Sequence, residues 1–467
     1  MIGAERNRAA AAVRSSRPGQ RRRERAPALD YPLLICAIGL LAFGFVMVSS
    51  ASMSIAEKCC NDPFYYVIRH AIALALGLAL GLLAYRVPLE RWERSGTWLF
   101  LLSILVLVLV LVPGIGRTVN GATRWIPLGP MNLQPSEFLK LFAVIYVAGY
   151  LVRHADAVAN RISGFIRPMI LIGVAAALTL MQPDFGTTAV MLVTVMGLLF
   201  LGGVSLLPFA VLFGVVGVGL VALVFLSPYR MARVISFLDP WQDPFNSGYQ
   251  LSQALIAFGR GEWLGVGLGN GIQKQFFLPE AHTDFLASVI GEEFGLVGIL
   301  SLIAAFVFLS WRAFTIGVRA HALEQPFAGY VAQGIGLWLG LQAFVNLGVN
   351  VGMLPTKGLT LPFMSYGSNS LMVGCMAIAI LLRIDLHMRQ LASDNRPKRR
   401  ILGDADGRSF APLPFNAVPR PERHRKALSA QVDIPGQSPT VPAFGTAQGK
   451  SSSAKNRAAR EIPWVRT

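Results

Sequence analysis

Thr187–Leu226 reads TTAVMLVTVMGLLFLGGVSLLPFAVLFGVVGVGLVALVFL, without one charged side chain. A helix crosses roughly 30 Å of hydrocarbon in about 20 residues, so this run is nearly long enough for two crossings. No water is available in a bilayer core, and the backbone must bond to itself there. The run therefore reads as helix and not as isolated strands. Tyr31–Ser50 reads the same way, and the pattern extends along most of the chain. Spans are expected near 31–51, 65–85, 97–115, 136–153, 167–182, 187–204, 207–226, 285–311, 327–353 and 360–383. Hydrophobic residues make up 54% of the 467 and charged residues 14%, too apolar a balance for a soluble protein of this length. The expected class is an all-α integral membrane protein, a polytopic bundle of about ten transmembrane helices. Residues 1–28 and 391–467 are basic, polar and poor in large apolar side chains, and read as disordered tails flanking a transmembrane domain at 29–390.

The net charge of +17 suggests nucleic acid until its distribution is considered. Arg6, Arg8, Arg14, Arg17, Arg21, Arg22, Arg23 and Arg25 precede the first span, and Arg396, Lys398, Arg399 and Arg400 follow the last. No folded basic domain accompanies them, so nucleic acid is not an expected partner. Cations beside spans set orientation and can touch anionic membrane lipids. With the N-terminus in the cytoplasm, Arg86, Arg91, Arg94, Arg153, Arg161, Arg167, Arg312 and Arg319 fall in cytoplasmic connections, and an even number of spans returns the C-terminus to that side. The N-terminal segment is too long, and lacks a small-residue cleavage site, for a cleaved signal peptide, so the first span stays as an anchor. Cys36 and Cys375 lie in apolar runs. Cys59 and Cys60 are neighbours in a short loop, are not expected to pair, and offer no metal-ligand spacing.

This orientation puts two connections outside, 114–135 and the long 227–284, and loops of such length usually carry function. Asp284 stands where the eighth span begins. It reads either as an N-cap, accepting free backbone N–H groups, or as a general base. The helix N-terminus would keep a carboxylate there ionised while desolvation at the bilayer edge would raise its basicity. Arg230 and Arg233, three apart, are either snorkelling interfacial side chains or a forked clamp for phosphate. Arg117 and Arg124 carry the same two readings, and His282 is a further acid–base candidate or merely exposed. Glu137 and Lys140 are spaced to satisfy each other on one helix face. With Asp184, Glu292 and Ser365 they are expected to line a cavity or to hold the bundle together, since charges at membrane depth face a partner or a cavity. The residues alone reach an outward polar site suited to a phosphorylated lipid, without separating an enzyme from a transporter.

Several motifs occur in one order. They are Asn120-Gly-Ala-Thr-Arg-Trp125, Gln134-Pro-Ser-Glu137, Gln182-Pro-Asp-Phe-Gly-Thr187, Pro279-Glu-Ala-His-Thr-Asp-Phe285 and Leu354-Pro-Thr-Lys-Gly-Leu-Thr-Leu-Pro362. Together they resemble the SEDS family (shape, elongation, division and sporulation). Pro228-Tyr-Arg-Met231 and the 357–362 run favour its cell-division branch. The resemblance covers about 31–385 and implies a peptidoglycan glycosyltransferase of the bacterial inner membrane at the division septum. That enzyme would polymerise lipid II alongside a division-specific class B penicillin-binding protein and other divisome proteins. It implies Asp284 as the catalytic base. The diphosphate leaving group would be met by Arg230, Arg233, Arg117, Arg124 or His282, or by a divalent cation such as Mg or Mn. A lipid II flippase and a non-catalytic divisome scaffold are the rival expectations. Ser368 and Asn369 depart from the family's usual Gly-Ser, and Asn132 stands where some relatives carry a cation.

Overall fold

The computed structural model describes residues 29–394 apart from 120, 130, 356 and 357, and omits a few further side chains, Arg230's among them. The expected tails at 1–28 and beyond 394 lie outside the described residues. The apolar runs form α1 (Tyr31–Cys60), α2 (Tyr65–Arg86), α3 (Leu89–Leu111), α4 (Pro135–Arg153), α6 (Ile162–Met181), α7 (Phe185–Leu201), α8 (Leu206–Phe225), α11 (Leu286–Ala322), α12 (Pro326–Asn350) and α13 (Ser368–Asp394), with the short α5 (Ala155–Asn160) between α4 and α6. Eight of these are long and apolar enough to cross a membrane, and α7 and α8 are shorter apolar helices. This is a multi-pass membrane protein.

Packing separates the helices by depth. α4 and α13 are buried along most of their length. On α8, by contrast, none of the described side chains is buried, and Val211, Phe213, Val215, Val218, Val221 and Phe225 all point outward. Without a hydrophobic drive between helices in lipid, close approach depends on small residues. Gly81 of α2 shows this: a Cβ there would lie 3.1 Å from the Cys375 carbonyl oxygen of α13. At one end of the bundle Asp30 caps α1, accepting from Leu33 N at 3.4 Å, and pairs with Arg312 at 2.6 Å.

Several expectations need correction. The 114–135 connection is a three-stranded antiparallel sheet, β1 (Arg117–Val119), β2 (Ala122–Leu128) and β3 (Met131–Leu133), the only strands among the described residues. The 227–284 connection contains two amphipathic helices, α9 (Pro228–Leu238) and α10 (Tyr249–Gly261), whose polar faces hid them from a search for apolar runs. α11 continues to Ala322, so Arg312 and Arg319 lie on its last turns and not in a loop, while α3 starts at Leu89 and includes Arg91 and Arg94. The last helix starts at Ser368, not near 360, because Pro362 and a positive φ of 67° at Phe363 keep the preceding segment irregular. It also runs to Asp394, past the expected boundary at 390. Cys59 and Cys60 are joined as a disulfide at the end of α1.

α11 is broken at Gly295, whose φ of 64° and ψ of −160° suit only glycine. The backbone groups released there are taken up by the chain following α10. Val266 N and Gly267 N donate to Glu292 O and Glu293 O at 3.0 Å each, and Leu296 N and Val297 N donate to Glu262 O at 2.9 Å and Trp263 O at 3.2 Å. Side chains fasten the same joint: Arg260 pairs with Glu292 at 2.7 Å, and Lys274 pairs with Glu293.

Candidate active site

A cavity of about 1220 Å³ lies where the sheet, the α6–α7 turn, α9 and the chain preceding α11 meet. Pro279–Phe285 and Gly358–Ser370 supply much of one wall, and Arg69 of α2, Arg124 of β2, Glu137 of α4, Asp184 and Arg233 of α9 face it from the others.

Asp284 opens into this cavity. The residue is half-buried, surrounded by protein but with its remaining surface on the enclosed space. Burial and then the neighbouring Glu280 carboxylate push its carboxyl up to about 7; Arg233 and Arg124 oppose them, and Asp184 adds a smaller upward push. Gly358 leaves room beside it, since a Cβ there would come within 3.2 Å of Asp284 Oδ2. The capping alternative is not what the structure shows. Phe285 occupies the cap position of α11 without a side-chain bond, and the Ser288 amide of the first turn goes to Asn350 Oδ1 at 3.1 Å.

Arg233 lies on the cavity wall, three positions from Arg230 on α9, so that stretch is helical as the spacing required. The Arg230 side chain lies outside the described residues. Arg124 also reaches the cavity, but much of its fork is committed: Nε donates to Gln182 O at 2.8 Å and Nη2 to Pro183 O at 2.5 Å. It braces the turn that carries Asp184. Asp184 itself caps α7, accepting from Thr187 N at 3.3 Å, and accepts from the Ser136 hydroxyl at 3.2 Å. Glu137 is buried on the wall; its Oε1 is 2.9 Å from Lys140 Nζ, whereas Oε2 has no hydrogen-bond partner.

Five expected site residues are not on this wall. Arg117 is exposed on β1. His282 is turned away into a ring cluster, 4.8 Å from Tyr66 and 5.5 Å from Tyr366 between centroids. Burial pushes its imidazole below the ordinary histidine range against a weaker opposite pull from Glu280. Lys140 lies behind Glu137, bonded to Gln342 at 2.8 Å and set over the Trp338 ring. Glu292 is consumed by Arg260 and by the amides of Ile272 and Gln273. Ser365 accepts from Leu361 N at 3.0 Å and closes a turn. Among the described residues, no three Asp, Glu, His or Cys side chains converge as metal ligands.

Sequence reasoning missed Arg69, Glu280 and Tyr366, which also line the cavity. Arg69 could have been flagged as a lone cation one turn into an otherwise apolar span.

Comparison with known proteins identifies the family. The FtsW/RodA/SpoVE cell cycle protein family model matches residues 31–390. A relative described as a probable peptidoglycan glycosyltransferase FtsW, from Allochromatium vinosum, is 76% identical over 390 residues, 84% of this chain and 98% of its own length. Another of the same description from Methylococcus capsulatus is 55% identical, over 76% of this chain and 89% of its own. Among solved structures, one from a study of structural coordination of polymerization and crosslinking by a peptidoglycan synthase complex matches with a TM-score of 0.63 at 30% identity, covering 77% of this chain and 98% of that one. The rod shape determining protein RodA of Thermus thermophilus matches with a TM-score of 0.57 at 30% identity, over 77% and 97% of the two chains. From the first span to the last, this chain belongs to the FtsW/RodA/SpoVE family.

Proposed function

We propose that the chain is a peptidoglycan glycosyltransferase that polymerises lipid II on the outer face of the bacterial inner membrane during septal cell-wall synthesis. The observation that carries the reading is Asp284, a carboxyl poised to titrate near neutrality, opening onto a cavity with Arg233 on its wall. A base works best when its pKa lies near the working pH. Asp284 accepts the proton of the acceptor's GlcNAc 4-hydroxyl. That oxygen then bonds to the anomeric carbon of the donor's MurNAc, whose bond to the undecaprenyl diphosphate oxygen breaks. The departing diphosphate carries its own charge, so no second acid is required, and Arg233 with Arg69 supplies positive potential on the cavity wall. A divalent cation would be held by the substrate's phosphates, as magnesium often is; among the described residues no three acidic, histidine or cysteine side chains converge to hold one.

The orientation follows from the flanking arginines, and both termini then lie in the cytoplasm. A partner that cross-links the product, a class B penicillin-binding protein, is supported by the likeness to the peptidoglycan synthase complex. The flippase alternative draws less support, since Lys140, a candidate for lining its route, is tied to Glu137 and Gln342. The test is purified protein with its cross-linking partner, given lipid II in detergent with no membrane to cross. Glycan polymer that vanishes in Asp284→Asn supports the reading, and undiminished polymer from that variant removes Asp284 from the chemistry.

A further inference from the structure

Three amides stand at successive four-residue intervals on α12: Gln342, Asn346 and Asn350, with relative exposures of 1%, 2% and 0%. Primary amides inside an apolar bundle are costly unless their donors and acceptors are satisfied. Two of the three are aimed at a single atom. Asn346 Nδ2 and Asn350 Nδ2 each donate to the main-chain carbonyl oxygen of Asp284 at 2.9 Å. Asn346 Nδ2 also reaches Leu359 O at 2.6 Å, and Gln342 Nε2 reaches Thr360 O at 3.0 Å, so the ladder grips the facing cavity wall as well. The third connection runs the other way. Asn350 Oδ1 accepts from both the amide and the hydroxyl of Ser288, at 3.1 and 2.8 Å, which is the service an N-cap side chain normally performs for its own helix.

We infer that Asn346 and Asn350 are positioning residues for the base: they clamp the Asp284 main chain, and Asn350 caps α11 from across the helix interface so that the Asp284 carboxylate stays in the cavity. The inference rests on the glycosyltransferase reading. Asp284 stands two residues before α11, next to the cap position, where an aspartate is a favoured capping group. A carboxylate accepting helix N-terminal amides is held in its ionised form and loses basicity, which is the opposite of the raised value found here. Handing the cap to Asn350 resolves that competition. The clamp supplies precision, because a displacement of about 1 Å in a reacting group can cost on the order of 100-fold in rate.

The two asparagines predict separable phenotypes. Asn346→Leu removes one clamp bond and leaves the cap, so kcat for glycan formation should fall about tenfold with KM little changed and the acid limb of the pH profile in place. Asn350→Leu removes the other clamp bond and the cap together, leaving Asn346 alone on the Asp284 carbonyl. Asp284 is then free to swing onto the Ser288 amide, so kcat should fall further and the acid limb should move down by about one pH unit or more. Asn350→Asp is nearly isosteric and still able to accept from Ser288. It should lose rate because the donor to Asp284 O is gone, and its added like charge should move the acid limb up and not down; it carries the test if the leucine variant does not fold. Wild-type kcat and an unshifted acid limb in folded Asn346→Leu and in the folded Asn350 variant would overturn the inference. So would an equal loss expressed only in KM. Asp284→Asn is measured alongside: if it remains active, the base itself is wrong, whereas an inactive Asp284→Asn with fully active asparagine variants rejects positioning alone.

Discussion

Asp284→Asn exchanges a carboxyl raised from 3.8 to about 7 for an amide of nearly the same size. Burial is the main cause, and it disfavours the ionised form only in the folded protein. The sign follows directly. Below about pH 4 both states hold the proton and folding bears no penalty. As pH rises the unfolded chain ionises first, and folding becomes progressively less favourable until the folded carboxyl also ionises above about 7. At 1.36 kcal/mol per unit, a shift of about 3 units has a ceiling near 4 kcal/mol. Asp284 is half-buried beside a cavity that admits water, and screening reduces this to about 2 kcal/mol. The amide does not titrate. Its stability relative to wild type should therefore rise by about 1–2 kcal/mol between pH 5 and pH 8 and stay level above that. With about 2 °C per kcal/mol for a domain of this size, the gap in Tm should widen by about 2–4 °C. Tryptophan-fluorescence melts of both proteins in detergent at several pH values measure it. Wild-type polymer synthesis should rise through pH 7 over the same interval, while the variant makes none. A Tm difference constant from pH 5 to pH 8 would refute the reasoning, because it would mean Asp284 is an ordinary surface carboxylate.

Arg260→Ala strands Glu292 in the α11 joint with only backbone amides for company, and stability in detergent should drop by roughly 2–3 kcal/mol, read as a lower Tm. Gly295→Ala places a Cβ against Gly265 N in a backbone region closed to alanine, at a cost of about 3 kcal/mol or more; faster hydrogen exchange at Leu296 and Val297 would report the opened joint. Arg124→Lys offers one ammonium where two donors of a fork now hold Gln182 O and Pro183 O. Glycan synthesis should slow by about tenfold while the melt changes little, whereas a variant as active as wild type would show the brace to be idle.

The membrane-spanning architecture was legible because uninterrupted apolar runs admit few other structures. Thr187–Leu226 divides at Gly202-Gly203 into α7 and α8 much as its length suggested. What escaped were elements whose signals are short or mixed. β1 and β3 are three residues each, below any useful periodicity, and α9 and α10 alternate polar and apolar faces without a continuous apolar run. The site was half legible. Asp284, Arg233, Arg124, Asp184 and Glu137 do converge, but their division of labour depends on contacts far apart in sequence. Lys140 meets Gln342, Arg124 meets Gln182, and Glu292 meets Arg260. The capping role at Asp284 was a sound local reading that lost to a side chain 62 positions away from Ser288.

The exchange of backbone partners at Gly295 places an unusual demand on how the gene for such a protein can change. Residues 262–267 look like ordinary connecting chain, the kind that absorbs insertions freely, yet their amides and carbonyls complete the ladder of another helix. Adding or deleting one residue there would misalign every rung beyond it. The turn at 241–247, with its own small Asp243-centred bonds and exposed side chains, has no such obligation. Length variation among descendants of this chain should accumulate at the turn and be excluded from the stretch that mends the helix.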